Sequence, residues 1–387
     1  EAPYIHTGET LQFSATTTPP WDCSTPCYNW EITEVEIDGS NIGTYGLYTA
    51  GDTPGTDLVT VIDECNGDIS GSVLVSVGPT PTSTYEFEQM WPPLKPPYFH
   101  EIWNIAVDSD GFVYVPDTID NCIKKFTPDG EFVTRWGSYG SGDGEFDIPV
   151  SIAVDNNGFV YVADYEDVIG GGIVPRIQKF TSDGQFVAKW GNSGSEDGEF
   201  FSVGSITADS NGFVYVVDPS PGRILKFTSD GQFVTEWGSE CRLYDGSGCE
   251  DPDGDGPLEL GDGQFDWPRA IAVDNNGFVY ISDDYNHRIQ KFTSDGQFVT
   301  KWGSECRLLN GIGCEDPDGD GPLELGDGQF DYIPDLAVDS NGFVYAADGS
   351  GNERIQVFTP DGQFVGKWGS RGNADDELYE PSDIAVD

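Results

Sequence analysis

A sequence unit repeats along most of this chain. The clearest copy runs from Ile271 to Gly303 and reads IAVDNNGFVYISDDYNHRIQKFTSDGQFVTKWG. Further copies begin at Ile105, Ile152, Ile206 and Leu336, and each copy closes on a Trp-Gly pair at Trp136, Trp190, Trp237, Trp302 or Trp368. Self-similarity of this kind is typical of repeat architectures, so the repeat constrains the fold more than composition does.

Each copy contains four short apolar runs separated by turn residues. In the clearest copy the turns include Asn276-Gly277 and Asp295-Gly296, which adopt the left-handed dihedrals of two-residue hairpins at little cost. The pattern therefore predicts a four-stranded antiparallel meander. One such sheet cannot bury both faces alone, whereas sheets repeated around an axis can, so the sequence predicts an all-β fold containing a β-propeller.

The motifs of the repeat resemble those of the NHL-repeat family over roughly residues 85–387; they are GDGQF, IAVD, GFVYV, RIQKF, DGQFV and KWG. The resemblance implies an open-centred propeller, most often with six blades, that serves binding in many members and catalysis in a few. Trp91 marks an additional fourth strand, and PSDIAVD at Pro381–Asp387 is an additional first strand. We therefore expect a six-bladed propeller whose sixth blade is incomplete in this chain, through truncation or because a neighbouring molecule supplies the missing strands.

Residues before the repeats have a different pattern. Residues 1–79 alternate apolar and polar positions between Gly, Pro and Asp, which predicts short strands of a β-sandwich. This part resembles the Ig-like domains of bacterial secreted proteins, through Trp30, GLYTAG and VTVID. A Pro-rich linker and first propeller strand at 80–102 follow, and the propeller occupies 103–387.

Charge and hydropathy exclude two classes of partner. The chain has 68 Asp and Glu against 18 Lys and Arg, a formal net charge of −50. Such a surface repels phosphate backbones, which argues against nucleic-acid binding. No apolar run approaches the roughly 20 residues that span a bilayer, which argues against membrane insertion. The Glu1-Ala2-Pro3 start is typical of a processed secreted protein.

Eight cysteines fall in connecting segments. Cys241 and Cys249 flank one short loop, and Cys306 and Cys314 flank a nearly identical one, so each pair predicts a local disulfide and an oxidising, extracellular compartment. In the N-terminal part we expect Cys27 to pair with Cys65, or else with Cys23. Cys122 either links the two parts of the chain or stays a buried thiol.

The loop CEDPDGDGPLELGDGQFD occurs at 249–266 and again at 314–331. Alternating carboxylates followed by a glycine turn supply the hard oxygens that a structural Ca²⁺ requires. The pattern resembles the EF-hand-type loops of dockerins and thrombospondin repeats, without flanking helices. The predicted ligands are Asp251, Asp253, Asp255, Pro257 (through its carbonyl) and Asp262 in the first loop, with Glu259 as a substitute, and Asp316, Asp318, Asp320, Pro322 and Asp327 in the second, with Glu324 as a substitute.

A second interpretation of these loops has no metal. Asp262 and Asp327 belong to the GDGQF motif, which blades without the insertion also carry, for example at Asp143. Proline at position 7 and aspartate at position 12 also depart from the EF-hand pattern. The alternative is an acidic loop tied by its disulfide.

Catalytic motifs are sparse. The three histidines, His6, His100 and His287, cannot supply the histidine set around zinc that the amidating lyases of this fold use. The Asp that ends each IAVD recurs in every blade, so its repetition indicates a turn or hydrogen-bonding role. On these grounds we predict that the protein is not an enzyme and has no catalytic residues.

The sequence therefore predicts a secreted or cell-surface scaffold that binds protein partners. Its incomplete sixth blade suggests that subunits complete one another's sheets and assemble into extracellular filaments. One alternative is a monomeric adhesin that binds a glycan or a protein. The other is a calcium-dependent propeller lyase or lactonase.

Overall fold

The computed structural model describes residues 102–168, 172–242, 248–249, 261–306, 326–349, 351–372 and 377–386, together with the backbone of seven N-terminal strands. The chain separates into two compact units, residues 1–86 and 87–387. In the first unit, strands Tyr4–His6, Asp68–Gly78, Gly55–Asp63 and Tyr28–Val35 form one sheet, and Thr10–Gln12, Leu47–Thr49 and Asn41–Ile42 form another. The side chains that would define an Ig-like sandwich lie outside the described residues, so that assignment stays a prediction, as do the three domain boundaries.

The second unit is a β-propeller with five four-stranded antiparallel blades. We label the strands of each blade A to D in chain order. Blade 1 comprises Ala106–Val107, Val113–Asp117, Cys122–Phe126 and Phe132–Trp136; blade 2, Ile148–Val154, Val160–Val168, Gly172–Phe180 and Phe186–Trp190; blade 3, Ile206–Ala208, Val214–Asp218, Arg223–Phe227 and Phe233–Trp237; blade 4, Pro268–Val273, Val279–Asp283, Arg288–Phe292 and Phe298–Trp302; and blade 5, Leu336–Val338, Val344–Asp348, Arg354–Phe358 and Phe364–Trp368. Two short parallel pairs, Ser239–Glu240 with Gln264–Phe265 and Ser304–Glu305 with Gln329–Phe330, join the beginning of each long D–A connection to its end.

The prediction of six blades is wrong: the propeller has five. Residues 381–386, here the closing segment, form no strand. They are held by side-chain contacts, and among the described residues no second strand pairs with them. Ile384–Val386 nevertheless line the central channel beside the A strands of all five blades. The closing segment therefore takes a sixth innermost position without building a sixth blade.

Aromatic packing between consecutive blades forms much of the core. In blades 1 to 4 the tryptophan of the D strand packs on the strand C phenylalanine of the next blade, as in Trp136–Phe180 and Trp302–Phe358, with ring centroids 6.0 and 5.8 Å apart. The following C–D turn needs glycine, because a Cβ at Gly296 would lie 2.6 Å from the Trp237 ring and its φ is +80°. These contacts give the D-strand tryptophans a role in packing between blades.

A lysine of strand C joins the same pairs of blades. Lys226 lies 4.3 Å above the Phe213 ring and donates a 2.8 Å hydrogen bond to the carbonyl of Ser294 in the next blade. Lys125, Lys179 and Lys291 make the same bond to the following C–D turns. Blade 5 carries Val357 at this position, so the described part of the ring contains four such contacts.

Candidate ligand-binding face

Topology divides the propeller into two faces. Strand A begins where strand D of the previous blade ended, so the D–A and B–C connections share one face and the A–B and C–D turns share the other. The first face carries the two long D–A connections after Trp237 and Trp302 and the extended B–C hairpin of blade 2. We call it the insertion face.

The A–B turns of the other face explain the repeated IAVD aspartate. Asp155 Oδ1 accepts hydrogen bonds from the backbone N–H groups of Asn157 and Phe159, and its Oδ2 accepts one from the Tyr161 hydroxyl at 2.9 Å. The corresponding aspartates of the other four blades make the same set of contacts: Asp108, Asp209, Asp274 and Asp339. These carboxylates therefore have the turn-forming role that their repetition indicated.

Below the insertion face, each of blades 2 to 5 buries an ion pair that fixes the entry to its A strand. In blade 4, Arg288 Nε donates to Asp283 Oδ2 at 2.7 Å, while Asp283 Oδ1 accepts the N–H of Asp266 at 2.8 Å. The same arrangement holds Asp164, whose pKa burial raises to about 6 despite the neighbouring Arg176. A buried charge needs such compensation, so the pair anchors the D–A connection to its own blade.

In blade 1 a lysine replaces the arginine of the buried ion pair. Cys122 occupies the arginine position of strand C, and Lys124 donates to Asp117 Oδ2 at 2.6 Å instead. Cys122 is a free, buried thiol. Burial raises the pKa of Cys122, so its thiol stays protonated and the residue serves packing.

The insertion face exposes an unusual number of apolar side chains. Of the 14 large hydrophobic residues that are exposed in the described part of the chain, five lie on D strands and nine lie in the segments that form the insertion face. Those nine are Ile102, Trp103, Ile119, Tyr139, Ile173, Phe201, Trp267, Tyr285 and Tyr379. The A–B and C–D turns contribute none. Exposed apolar side chains gathered on one face, rather than scattered singly, are typical of a binding surface.

Trp267 and Tyr285 form the best-defined part of this surface. Their rings are stacked, with centroids 6.3 Å apart and planes at 25°. Trp267 has a φ of +58°, which is rare for a bulky residue. The backbone carbonyl of Asp266 accepts the Tyr285 N–H at 3.2 Å, so the two aromatic residues are held side by side. Strained backbone of this type occurs preferentially at ligand sites.

A polar cluster lies beside this aromatic pair. The Arg269 guanidinium lies 5.1 Å from the Tyr332 ring centroid. Asp284 Oδ1 accepts the Ile333 N–H at 3.0 Å, whereas its buried Oδ2 has no hydrogen-bond partner among the described residues. Burial raises the pKa of Asp284 to about 7.

The central channel is a cavity of about 160 Å³. Its wall is made by six innermost segments, 104–107, 152–154, 205–208, 271–273, 335–338 and 384–386. Because strand A is the edge of each sheet, one row of its backbone N–H and C=O groups faces the channel.

Six residues occupy the same position at the start of these segments, at the end of the channel that opens on the insertion face. We call them the mouth residues: Asn104, Ser151, Ser205, Ala270, Asp335 and Asp383. Several of them accept a backbone N–H from the next innermost segment. Asn104 Oδ1 accepts from Ile152 N at 2.7 Å, and Ser151 Oγ from Ile206 N at 3.1 Å.

The mouth residues also close the circle across the sixth position. Asp335 Oδ2 accepts the Ile384 N–H at 3.0 Å, and Asp383 Oδ1 accepts the Asn104 Nδ2–H at 3.0 Å. The carboxyl groups of Asp335 and Asp383 hydrogen-bond to each other, and burial raises the pKa of both. This pair is not predictable from a local motif because the two residues are far apart in sequence. The one signal for it is the aspartate that precedes the apolar run in D-L-A-V and D-I-A-V, at the start of the last two innermost segments.

The predicted calcium ligands are only partly within the described residues. Asp262 Oδ1 pairs with Lys301 at 2.9 Å and Asp327 Oδ1 with Lys367 at 2.7 Å. Asp143 makes the same contact with Lys189 in a blade that has no insertion. These two carboxylates thus have the role of the GDGQF repeat. The other predicted ligands lie outside the described residues, and within the described part no three acidic, histidine or cysteine side chains cluster as a metal site.

One predicted disulfide is present, between Cys241 and Cys249, with Cα atoms 4.4 Å apart. Cys306 is also disulfide-bonded. Its predicted partner Cys314 and the predicted pair Cys27–Cys65 lie outside the described residues. Of the described segments, no helix is long and apolar enough to cross a membrane.

Comparison with known proteins supports the repeats. The NHL repeat family matches residues 265–292 and 330–358. Human NHL repeat-containing protein 3 is 29% identical over 230 residues, which is 57% of this chain and 60% of that protein. A probable peptidyl-alpha-hydroxyglycine alpha-amidating lyase of Caenorhabditis elegans is 29% identical over 33% of this chain and 31% of its own length. The chain therefore spans less than two thirds of these relatives.

Among solved structures, selenomethionine-substituted virginiamycin B lyase from Staphylococcus aureus is similar, with a TM-score of 0.42, 14% identity, and coverage of 89% of this chain and 90% of that one. The prediction that this protein is not an enzyme is corrected by the similarity to the probable amidating lyase of Caenorhabditis elegans. Because that relative is a lyase, the resemblance is compatible with catalysis. The small number of histidines argues only against the zinc site of the amidating lyases and does not bear on other catalytic mechanisms.

Proposed function

We propose that this chain is a binding protein whose insertion face takes a basic polypeptide. The observation that carries the proposal is the concentration of nine exposed apolar side chains on that face. NHL propellers generally mediate protein interactions, which favours a polypeptide as the ligand. The proposal concerns binding and makes no statement about whether the channel also catalyses a reaction.

Charge selects the kind of polypeptide. Of the 18 Lys and Arg residues, nine are buried in the described blades, in the strand C contacts and ion pairs. At most nine basic side chains are thus left to balance the surface carboxylates. Lys and Arg side chains of a partner would be attracted by this field and would stack on exposed aromatic rings.

The test uses a fluorescent peptide rich in Arg and Tyr, titrated with the full chain and followed by anisotropy. Trp267→Ala and Tyr285→Ala should each weaken binding by roughly 5- to 30-fold, as expected for an aromatic anchor worth about 1–2 kcal/mol. Val187→Ala and Val234→Ala are matched controls, since both residues are exposed on D strands, and should change the Kd less than twofold. Equal effects of both pairs, or binding of an acidic peptide of the same length, would contradict the proposal. Binding of glycans but of no peptide would favour the adhesin alternative.

A second candidate function is self-assembly through the sixth position. The specific observation is the closing segment, which lines the channel as the A strands do but has no second strand among the described residues. A sheet edge left open in this way accepts strands from another chain. Electron microscopy of the native material tests it: filaments would support strand completion between subunits, and discrete particles of one subunit would contradict it.

Two further proposals concern stability and location. We propose that Ca²⁺ stiffens the two acidic loops through Asp251, Asp253 and Asp255 and through Asp316, Asp318 and Asp320, with Glu259 and Glu324 completing the sites. We also propose secretion into an oxidising compartment, which the Cys241–Cys249 disulfide favours.

A further inference from the structure

The closing segment makes few contacts with the other described residues. It has no strand ladder, and its described lateral contacts run through two carboxyl groups. Asp335 receives the Ile384 N–H from one side. Asp383 receives the Asn104 side chain and the Ile105 N–H from the other. A separate hydrogen bond, from Glu380 N to Glu353, holds the start of the segment.

The hydrogen bond between the two carboxyl groups requires a proton, because two carboxylates have no donor. We propose that Asp335 and Asp383 form a proton-controlled latch: with one shared proton the closing segment is seated as the sixth wall of the channel, and loss of that proton releases residues 383–386. Release would open the channel sideways between blades 5 and 1. The latch is a property of this chain and stands independently of the proposed ligand.

The groups around the pair supply little to stabilise two negative charges. Blade 1 contributes the neutral Asn104 and the backbone of Ile105, and the other mouth residues of blades 2 to 4 are Ser151, Ser205 and Ala270. Arg269 of blade 4 interacts instead with Tyr332 and Asp284. The largest charge interaction of Asp335 is with Asp383.

The direction of the pH dependence follows from these surroundings. Burial raises the pKa of both carboxyl groups, and for Asp335 the charge of Asp383 adds to it. A group whose folded pKa is raised stabilises the seated state fully below its unfolded pKa and loses this effect as the pH rises through the folded value. The latch is therefore closed in acid and weakens toward alkaline pH.

Hydrogen exchange of the full chain, measured by mass spectrometry between pH 5 and 8 and corrected for the intrinsic rate, tests the latch. Between the pKa of the released carboxyl groups and the raised pKa of the seated pair, peptides containing Ile105 and Ile384 should lose protection by up to about tenfold per pH unit, and the loss should level off above the seated value. In Asp335→Asn the side-chain amide can donate to Asp383 while its oxygen still accepts from Ile384, so protection should not depend on pH.

Three comparisons make the result decisive. Asp339→Asn removes a carboxylate from the other end of the same innermost segment and should keep the wild-type slope. Asp383→Asn should also abolish the pH dependence of protection. Its protection should be lower at every pH, because the one amide oxygen must replace two carboxylate acceptors. This variant provides the test if Asp335→Asn does not fold. A flat wild-type profile, an unchanged slope in Asp335→Asn, or an equal slope in a blade 3 peptide containing Val216 would overturn the proposal.

Discussion

Replacing Lys226 with methionine tests whether the strand C lysines hold consecutive blades together. Lys226 is buried, its Nζ donates to Ser294 of the next blade at 2.8 Å, and it lies 4.3 and 5.2 Å from the Phe213 and Tyr215 ring centroids. Methionine keeps the length of the side chain and removes the donor and the charge. The Ser294 carbonyl then loses a partner that water does not easily replace.

The expected cost combines two effects. A hydrogen bond to a charged group contributes about 1.5–3 kcal/mol, and a desolvated cation–π contact about 0.5–2 kcal/mol. Relief of the lysine's desolvation, which lowers the pKa of Lys226, offsets part of this. We therefore expect Lys226→Met to lower the free energy of unfolding by roughly 2–4 kcal/mol, which for a unit of this size is about 3–6 °C in Tm.

Thermal unfolding followed by circular dichroism measures the shift, with Lys301→Met as the control. Lys301 pairs with Asp262 at 2.9 Å, but its side chain is 38% exposed. Exposed pairs contribute less than about 1 kcal/mol, so the control should change the Tm by less than about 2 °C. Equal shifts in the two variants, or no shift in Lys226→Met, would refute the idea that this contact joins the blades.

Three further outcomes follow from individual residues. Asp284→Asn keeps the acceptor for Ile333 and avoids burying a carboxylate whose folded pKa is raised to about 7. The stability of this variant relative to the wild type, followed through the Tm, should therefore increase by roughly 2–3 kcal/mol as the pH rises from 5 to 8. A difference that stays constant with pH would contradict this. Tyr215→Phe removes the 3.0 Å bond to Asp209 Oδ2 and should cost about 1–2 kcal/mol in urea unfolding, whereas exposed Tyr285→Phe should cost almost nothing. Removing Ca²⁺ with a chelator should speed proteolysis within 251–262 and 316–327. In the double variant Asp253→Asn with Asp318→Asn, cleavage should not respond to the chelator. Equal cleavage of the wild type with and without Ca²⁺ would support the metal-free interpretation of the loops.

Much of the propeller could be predicted from the sequence because each blade is encoded locally. The hairpin turns, the aromatic core and the IAVD turn recur with fixed spacing, so a single copy is enough to interpret them. The predicted turn role of the IAVD aspartate is confirmed for the same reason, since one role explains every copy.

The candidate site could not be predicted in this way because it consists of departures from the repeat. Trp267 replaces residues as different as Ile148 and Ser202 at the same position, and nothing local signals that it is exposed. The Asp335–Asp383 pair arises only when the chain closes into a circle. The predicted number of blades was wrong for a related reason. An IAVD motif predicts an innermost segment, but it does not predict a second strand that pairs with it to form a blade.

The strand C lysine has a consequence for how such chains change length. Each contact joins a lysine in one blade to a turn carbonyl in the next, so every internal blade carries one half of two identical contacts. A gene duplication or deletion of a whole blade would recreate the same contact at the new junction. The strand C contacts therefore do not set the number of blades. The contacts that differ from the repeat lie where the circle is closed, at Asn104, Asp335 and Asp383.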